Sequence, residues 1–135
     1  MTPTIKLTRL ALMATFGLAL AATAADLPPA STKTGVTFAT DIKPIFNASC
    51  VKCHSGDKPK ARLKLDTLEG VLKGSKNRKV ITPGDSANSL IVKCVAKVTD
   101  DKDLWMPPPR NRANIGPLTP EQTGLIRAWI DQGAK

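Results

Sequence analysis

Two cysteines and the only histidine of the chain stand together in the segment Cys50-Val51-Lys52-Cys53-His54. One helical turn separates the two thiols, which is the spacing that thioether bonds to the two vinyl groups of one haem require. The adjacent imidazole of His54 can then reach the iron as its proximal ligand. The motif therefore predicts one covalently bound haem c, held by Cys50, Cys53 and His54.

Three other chemistries fit parts of the same motif. A redox dithiol uses Cys-x-x-Cys at the start of a helix in a βαβ unit, a context that the sequence does not show. A zinc site needs four ligands, which Cys50, Cys53, His54 and Cys94 could just supply. A disulfide between Cys50 and Cys53 would close too small a loop to stabilise the fold much. An export signal ahead of the motif favours haem.

The second axial ligand of such a haem follows by elimination. A second imidazole is excluded because His54 is the only histidine, and two of the three methionines lie in the predicted export signal. Met106 remains, in a loop that three consecutive prolines stiffen. We predict Met106 as the ligand; the alternatives are a Met that fills the core or a Lys, Asn, water or Cys94 ligand. A His/Met pair raises the potential of the haem and favours electron transfer over ligand binding.

Length and composition favour one small domain. The chain has 135 residues, with 20 Lys and Arg against 11 Asp and Glu, and only 4% of its residues are aromatic. Such a chain builds a thin core that often needs a disulfide, a metal or a cofactor for stability. These figures exclude a multidomain enzyme and a polytopic membrane protein.

The N-terminal residues predict export. Two basic residues precede an uncharged, mostly apolar run over residues 10–22, and small residues follow it. The run is short against the roughly 20 residues that a membrane span needs. We predict a signal peptide over residues 1–25, cleaved after Ala24 or Ala25, and a periplasmic mature protein that does not span the membrane.

Behind this signal, the sequence predicts a flexible linker over residues 26–36, rich in Pro, Ala, Thr and Ser, and one helical domain over residues 37–135. Two short strands, Leu63–Leu65 and Val80–Thr82, are the only candidates for β structure. The first predicted helix is Thr40–Asn47, and the second is capped by Asp66 or Thr67, runs to Leu72 and stops at Gly74. The third is capped by Asp85 or Ser86 and carries Leu90, Ile91, Cys94 and Val95. The fourth has Thr119 as its N-cap, Pro120 at its first position, Gln122 in a capping box and Gly133 at its end.

The chain resembles class I c-type cytochromes, and most closely the short cytochrome c domain of the planctomycete type. The resemblance runs from about Phe38 to Ala134. Around the haem motif, the matching residues are Phe38-x-x-Asp41-Ile42-x-Pro44-Ile45, Leu63-x-Leu65-Asp66, Pro83-Gly84-Asp85 with Ser89-Leu90, Met106-Pro107-Pro108, and Leu118-Thr119 through Trp129-Ile130-x-x-Gly133-Ala134.

The resemblance implies an all-α cytochrome c fold, in which helices wrap one haem and the first and last helices cross. It places Phe46 and Trp129 at or near that crossing. We expect an exported one-electron carrier rather than an enzyme. The alternatives are a dedicated cytochrome subunit of an exported dehydrogenase or oxidase, and a haem sensor or peroxidase-like protein with an open iron site.

Basic residues surround the haem motif. They predict a positive rim that steers an acidic redox partner, although solvated lysines are the simpler interpretation. Nucleic acid is a poor match for charge that is spread over loops of an exported protein, and we expect a monomer. The residues are Lys52, Lys58, Lys60, Arg62 and Lys64.

Several single residues have two interpretations. Cys94 is expected to be a buried thiol, with an intermolecular disulfide as the alternative. Trp105 either walls the haem pocket or anchors a loop, and Trp129 is expected in the core. Pro59 is a candidate acceptor for the His54 Nδ1–H. The candidates for binding haem propionates, or for a solvated surface role, are Arg62, Arg110 and Arg112.

Overall fold

The structure is a computed structural model that describes residues 27–135, and the predicted signal peptide with its cleavage site lies outside these residues. Within residues 27–135 the chain forms helices and no strand, so the two short strand candidates do not form. The elements are a π-helical turn at Phe38–Ile42, α1 at Lys43–Ser49, a 3-10 turn at Lys60–Arg62, α2 at Leu68–Lys73, α3 at Leu90–Ala96, a 3-10 turn at Lys102–Leu104 and α4 at Pro120–Asp131.

The first helical segment begins earlier than its apolar spacing predicts. Thr37 caps the π-helical turn, since its side chain accepts a hydrogen bond from the backbone N–H of Thr40 at 3.3 Å. An ion pair with Lys33, together with hydrogen bonds from Thr37 and Thr40, lowers the pKa of Asp41 to about 2. The apolar face that the sequence predicts is buried, and Phe46 is its largest member.

The last helix has the ends that the sequence predicts. Thr119 accepts a hydrogen bond from the N–H of Gln122 at 3.2 Å, and the Gln122 side chain accepts one from the N–H of Thr119 at 2.9 Å. Pro120 occupies the first helical position, and Gly133 follows the helix with a φ of 99°. These local interactions satisfy N–H groups that the first helical turn leaves free.

The second helix, α2, is also predicted correctly, whereas the predicted cap of α3 is wrong. Ser89, not Asp85 or Ser86, is the N-cap of α3. Asp85 accepts hydrogen bonds from Asn88 within a turn, and the Ser86 hydroxyl donates to Asp131 of α4 at 2.9 Å. Because both side chains are already bonded elsewhere, residues 85–89 form a turn that leads into the helix.

Aromatic rings join the first helical segment to α4. The ring of Phe38 lies 6.1 Å from that of Phe46 and 5.8 Å from that of Trp129. Phe46 and Trp129 are fully buried, and the predicted core position of Trp129 is confirmed. The contact between the two ends of the domain therefore passes through Phe38 of the π-helical turn, while α3 packs on the same helix α4.

The segment before the first helix lies along α4. The N–H of Ser31 donates to the carbonyl of Gly124 at 2.9 Å, and the side chain of Gln132 accepts from the N–H of Val36 at 3.2 Å. A Cβ on Gly124 would lie 2.6 Å from the carbonyl oxygen of Pro29, so this helical position admits only glycine without displacing the segment. Residues 27–36 of the predicted flexible linker thus make backbone and side-chain contacts with the last helical segment. Among the described residues, no helix is long and apolar enough to cross a membrane.

Candidate functional site

The Cys-x-x-Cys-His motif directly follows α1. The N–H of Cys50 donates to the carbonyl of the buried Phe46 at 2.8 Å, so the last turn of α1 holds the first cysteine. The carbonyl of Cys50 then accepts hydrogen bonds from Cys53 at 3.1 Å and from His54 at 3.0 Å. This turn brings two thiols and one imidazole together next to the core.

Three backbone interactions hold His54. Its N–H donates to Cys50, its carbonyl accepts from Leu65 at 2.8 Å, and its Nδ1 lies 3.2 Å from the carbonyl oxygen of Lys60. Since Nδ1–H donates to a carbonyl, Nε2 keeps a lone pair that is available to a metal. The candidate acceptor Pro59 is wrong by one residue. The N–H of Lys60 bonds to Cys53 at 2.9 Å, so the chain returns to the motif at Lys60.

One cavity of about 410 Å³ collects all four predicted site residues, because Cys50, Cys53, His54 and Met106 line it together. Its volume lies in the range of about 300–1,000 Å³ that is usual for cofactor sites. Met106 is partly buried against the core, and its N–H donates to the carbonyl of Cys94 at 3.0 Å. The loop that carries Met106 is thus attached to α3, which forms another wall of the same cavity.

The walls of this cavity are mainly apolar, and one end is polar. Leu63, Val80 and Ile91 are among the buried apolar side chains that line it. Arg62 and the segment 75–78 contribute the polar lining. An apolar macrocycle with anionic carboxylates at one edge matches this distribution. The donor set of two thiols, one imidazole and one thioether also suits haem c, so the residues fit that cofactor.

Burial sets the protonation of the motif. Desolvation lowers the pKa of His54, while its hydrogen bond to the Lys60 carbonyl acts in the opposite direction. The ring is therefore neutral at pH 7, as a metal ligand must be. Burial also raises the pKa of the Cys50 thiol to about 12. A redox dithiol needs a lowered thiol pKa, so this environment disfavours that alternative.

The structure also weakens the zinc alternative and places Cys94. Within residues 27–135, no three or more His, Cys, Asp or Glu side chains are grouped so that they could hold a metal ion. Cys94 is buried, as predicted, and lines the cavity from α3. Desolvation raises its pKa, although the positive charge of Arg78 opposes the shift.

Three arginines have a propionate-binding role or a solvated surface role as their two interpretations. Arg62 is exposed but lines the cavity, whereas Arg110 and Arg112 are exposed and do not line it, as a surface role predicts. The sequence interpretation missed Arg78, which does line it. The N–H of Lys76 donates to the carbonyl of Ala61 at 3.1 Å, and this long-range bond brings the segment 75–78 to the cavity. A run of polar residues carries no periodicity that could have indicated this position.

Trp105 anchors a loop rather than lining the cavity. Its indole N–H donates to the carbonyl of Thr99 at 3.3 Å, and the ammonium group of Lys102 lies 5.6 Å from the ring centroid. Of its two predicted roles, the structure therefore supports the anchor.

Residues 50–110 match a family model described as planctomycete cytochrome C. The chain carries a planctomycete-type cytochrome c domain. The match begins at Cys50 and includes Met106. No curated protein and no solved structure matches the chain. A cytochrome c domain implies haem c and indicates a role in haem binding and electron transfer, and the helical structure of residues 27–135 is compatible with that fold.

Gly74 packs against the segment 75–78, which contributes polar lining to the cavity. We predict that replacing Gly74 lowers the stability of the protein by an unusually large amount. Gly74 has a φ of +86°, and a Cβ there would lie 2.6 Å from the carbonyl oxygen of Arg78. With ψ at −164°, Gly74 lies in a backbone region that is essentially restricted to glycine, so Gly74→Ala should lower the free energy of unfolding by about 1–3 kcal/mol for the conformation alone. The clash with backbone should add about 1–3 kcal/mol. Denaturant unfolding of the purified protein measures the sum.

Gly84→Ala is the comparison variant for a positive φ without a backbone clash. Gly84 also has a φ of +86°, but nothing lies within 4 Å of a Cβ placed there. Only the conformational cost should appear in this variant. Equal losses of stability in the two variants would contradict the close approach between Gly74 and Arg78.

Proposed function

We propose that the protein is an exported monohaem c-type cytochrome that carries one electron. Cys50 and Cys53 form the two thioether bonds, and His54 and Met106 are the axial ligands. The observation that supports this assignment is that all four side chains line one mainly apolar cavity inside a cytochrome c domain. Bound haem supplies a reversible one-electron couple, and the protein supplies ligands, orientation and electrostatics.

The residues around the cavity suit this role. The carbonyl of Lys60 orients the His54 ring, and mainly apolar side chains line the cavity. A thioether from Met106 favours the reduced iron relative to a harder ligand and leaves no open coordination position. Arg62 and Arg78 both line the cavity, which supports them as the hydrogen-bond donors to the haem propionates.

The number of haems and the compartment follow from the sequence. The chain contains a single Cys-x-x-Cys-His motif, so we propose one haem. The basic start and the apolar run over residues 10–22 support cleavage of a signal peptide and a periplasmic location. We also propose that the protein acts as a monomer and as a carrier rather than as an enzyme.

The first prediction from the proposed function concerns covalent attachment of the haem. When the chain is expressed in a periplasm that attaches haem, the double variant Cys50→Ala, Cys53→Ala should yield no haem that stays with the polypeptide on a denaturing gel. Haem staining and the absorption spectrum measure this. Cys94→Ala is the control, because Cys94 lines the same cavity outside the motif, and it should keep its haem. Haem staining of the double variant would contradict thioether attachment at these residues.

The second prediction concerns the sixth ligand. Met106→Ala should keep the haem attached but lose the weak near-infrared band that a sulfur-to-iron bond produces. It should also lower the reduction potential and let the ferrous protein bind CO. Leu104→Ala is the control, since Leu104 lines the same cavity without a donor atom. An unchanged near-infrared band in Met106→Ala would exclude Met106 as the ligand. A wild-type protein that lacks the band and binds CO would favour the sensor or peroxidase-like alternative.

The third prediction concerns the partner, which we propose to be a redox protein with an acidic docking face. All five basic residues of the predicted rim are exposed: Lys52, Lys58, Lys60, Arg62 and Lys64. Their field should accelerate encounters with anions and be screened by salt, since the Debye length falls from about 30 Å at 0.01 M to about 8 Å at 0.15 M.

Small reagents test this field without knowledge of the partner. The rate of oxidation of the reduced protein by ferricyanide, an anion, should fall as salt rises. The rate with a cobalt(III) tris-phenanthroline cation should rise over the same range. Rates that do not depend on salt, or that change in the same direction for both reagents, would remove the positive rim from the proposal.

A further inference from the structure

A second recess lies beside the proposed haem cavity. It has a volume of about 530 Å³, and its charged lining consists of Lys58, Arg62, Lys64 and Lys73 with the single carboxylate of Asp57. The segment 57–64 forms one wall, and the C-terminal part of α2 forms the other. Four basic groups and one acidic group give this small volume a formal charge of +3 at neutral pH.

Backbone contacts hold the two walls together. A Cβ on Gly70 would lie 2.7 Å from Cβ of Lys64 and 2.8 Å from its carbonyl oxygen, so α2 approaches the opposite wall as closely as a glycine permits. Beside this contact, the N–H of Lys76 donates to the carbonyl of Ala61. The backbones of the two walls are therefore held together by contacts that do not involve the charged side chains.

None of the four basic side chains forms an ion pair within residues 27–135, although the carboxylate of Asp57 lines the same recess. The one ion pair found among the described residues joins Lys33 to Asp41. None of the four basic side chains of the recess donates a hydrogen bond to another described residue. Like charges around one recess repel each other, and the repulsion falls when an anion with several charges binds between them. A monovalent anion would offset only part of it.

We propose that this recess binds a small polyvalent anion with several anionic oxygens, of the diphosphate or tricarboxylate class. Lysine ammonium groups bind such oxygens as point charges, and the Arg62 guanidinium can donate two parallel hydrogen bonds. The fixed walls reduce the ordering cost of binding. The binding itself does not require haem.

A bound anion would also act on the haem, and this part rests on the proposed function. Pro59 and Arg62 line both the recess and the haem cavity. The oxidised haem carries one more positive charge than the reduced haem, so a neighbouring anion stabilises the oxidised state and lowers the reduction potential. Linkage then requires the oxidised protein to bind the anion more tightly, and a tenfold ratio of the two affinities corresponds to a shift of about 59 mV for one electron.

Calorimetric titration with pyrophosphate at low ionic strength tests the site. We expect saturable binding with one anion per chain. Lys64→Gln and Lys73→Gln should each weaken it about three- to fivefold, as the loss of one exposed charge pair does. Lys43→Gln is the matched control, because it removes an equal charge from an exposed lysine of α1 that does not line the recess. Citrate, titrated in parallel, distinguishes a tricarboxylate from a diphosphate as the preferred class.

Absence of saturable binding for both anions would overturn the proposed site. Equal weakening of binding in all three variants would also overturn it, because that result would indicate only a diffuse positive field. A chain that binds pyrophosphate but attaches no haem would overturn the proposed function and leave the site intact. A haem protein that binds pyrophosphate with equal affinity in both oxidation states would overturn the redox linkage.

Discussion

The hydrogen bonds that join His54 to Cys50, Lys60 and Leu65 are the constraint on which the site depends. They use the backbone N–H, the backbone carbonyl and one ring nitrogen, so both the position and the rotation of the imidazole are determined by the chain around it. Each such bond contributes only about 0.5–1.5 kcal/mol to stability. The bond to Lys60 has a further effect. It uses Nδ1 as a hydrogen-bond donor and leaves Nε2 as the ring nitrogen that can bind a metal.

This arrangement needs a rigid base, which the ends of the domain supply together. The buried side chain of Phe46 fixes the end of α1, from which the motif departs, and Phe38 links it to Trp129 of α4. A small chain with few aromatic residues thus concentrates its rings where the first and last helical segments meet. The same helix α4 carries α3, and α3 holds the loop of Met106 through the carbonyl of Cys94.

How much the sequence predicts depends on the distance over which each interaction acts. The ends of α4 follow from Thr119 and Gln122, which lie three residues apart, and the motif places its own thiols and imidazole within one turn. The cap of α3 was missed because Ser86 bonds to Asp131, 45 residues away. Arg78 was missed because a bond between two distant loops brings it to the cavity. Local rules cannot report such contacts, whereas the family resemblance supplies the order of the elements around them.

The segment 57–64 has two faces, and this explains why it is so basic. Its inner side supplies the carbonyl that orients His54, while its outer side carries Lys58 and Lys64 into the second recess, with Arg62 lining both cavities. Under the proposed function, these charges would lie close to the haem, since Pro59 and Arg62 line both cavities. The basic residues therefore need not serve docking alone. Under the two proposals, one positive field would both attract anions and contribute to the electrostatic environment of the haem.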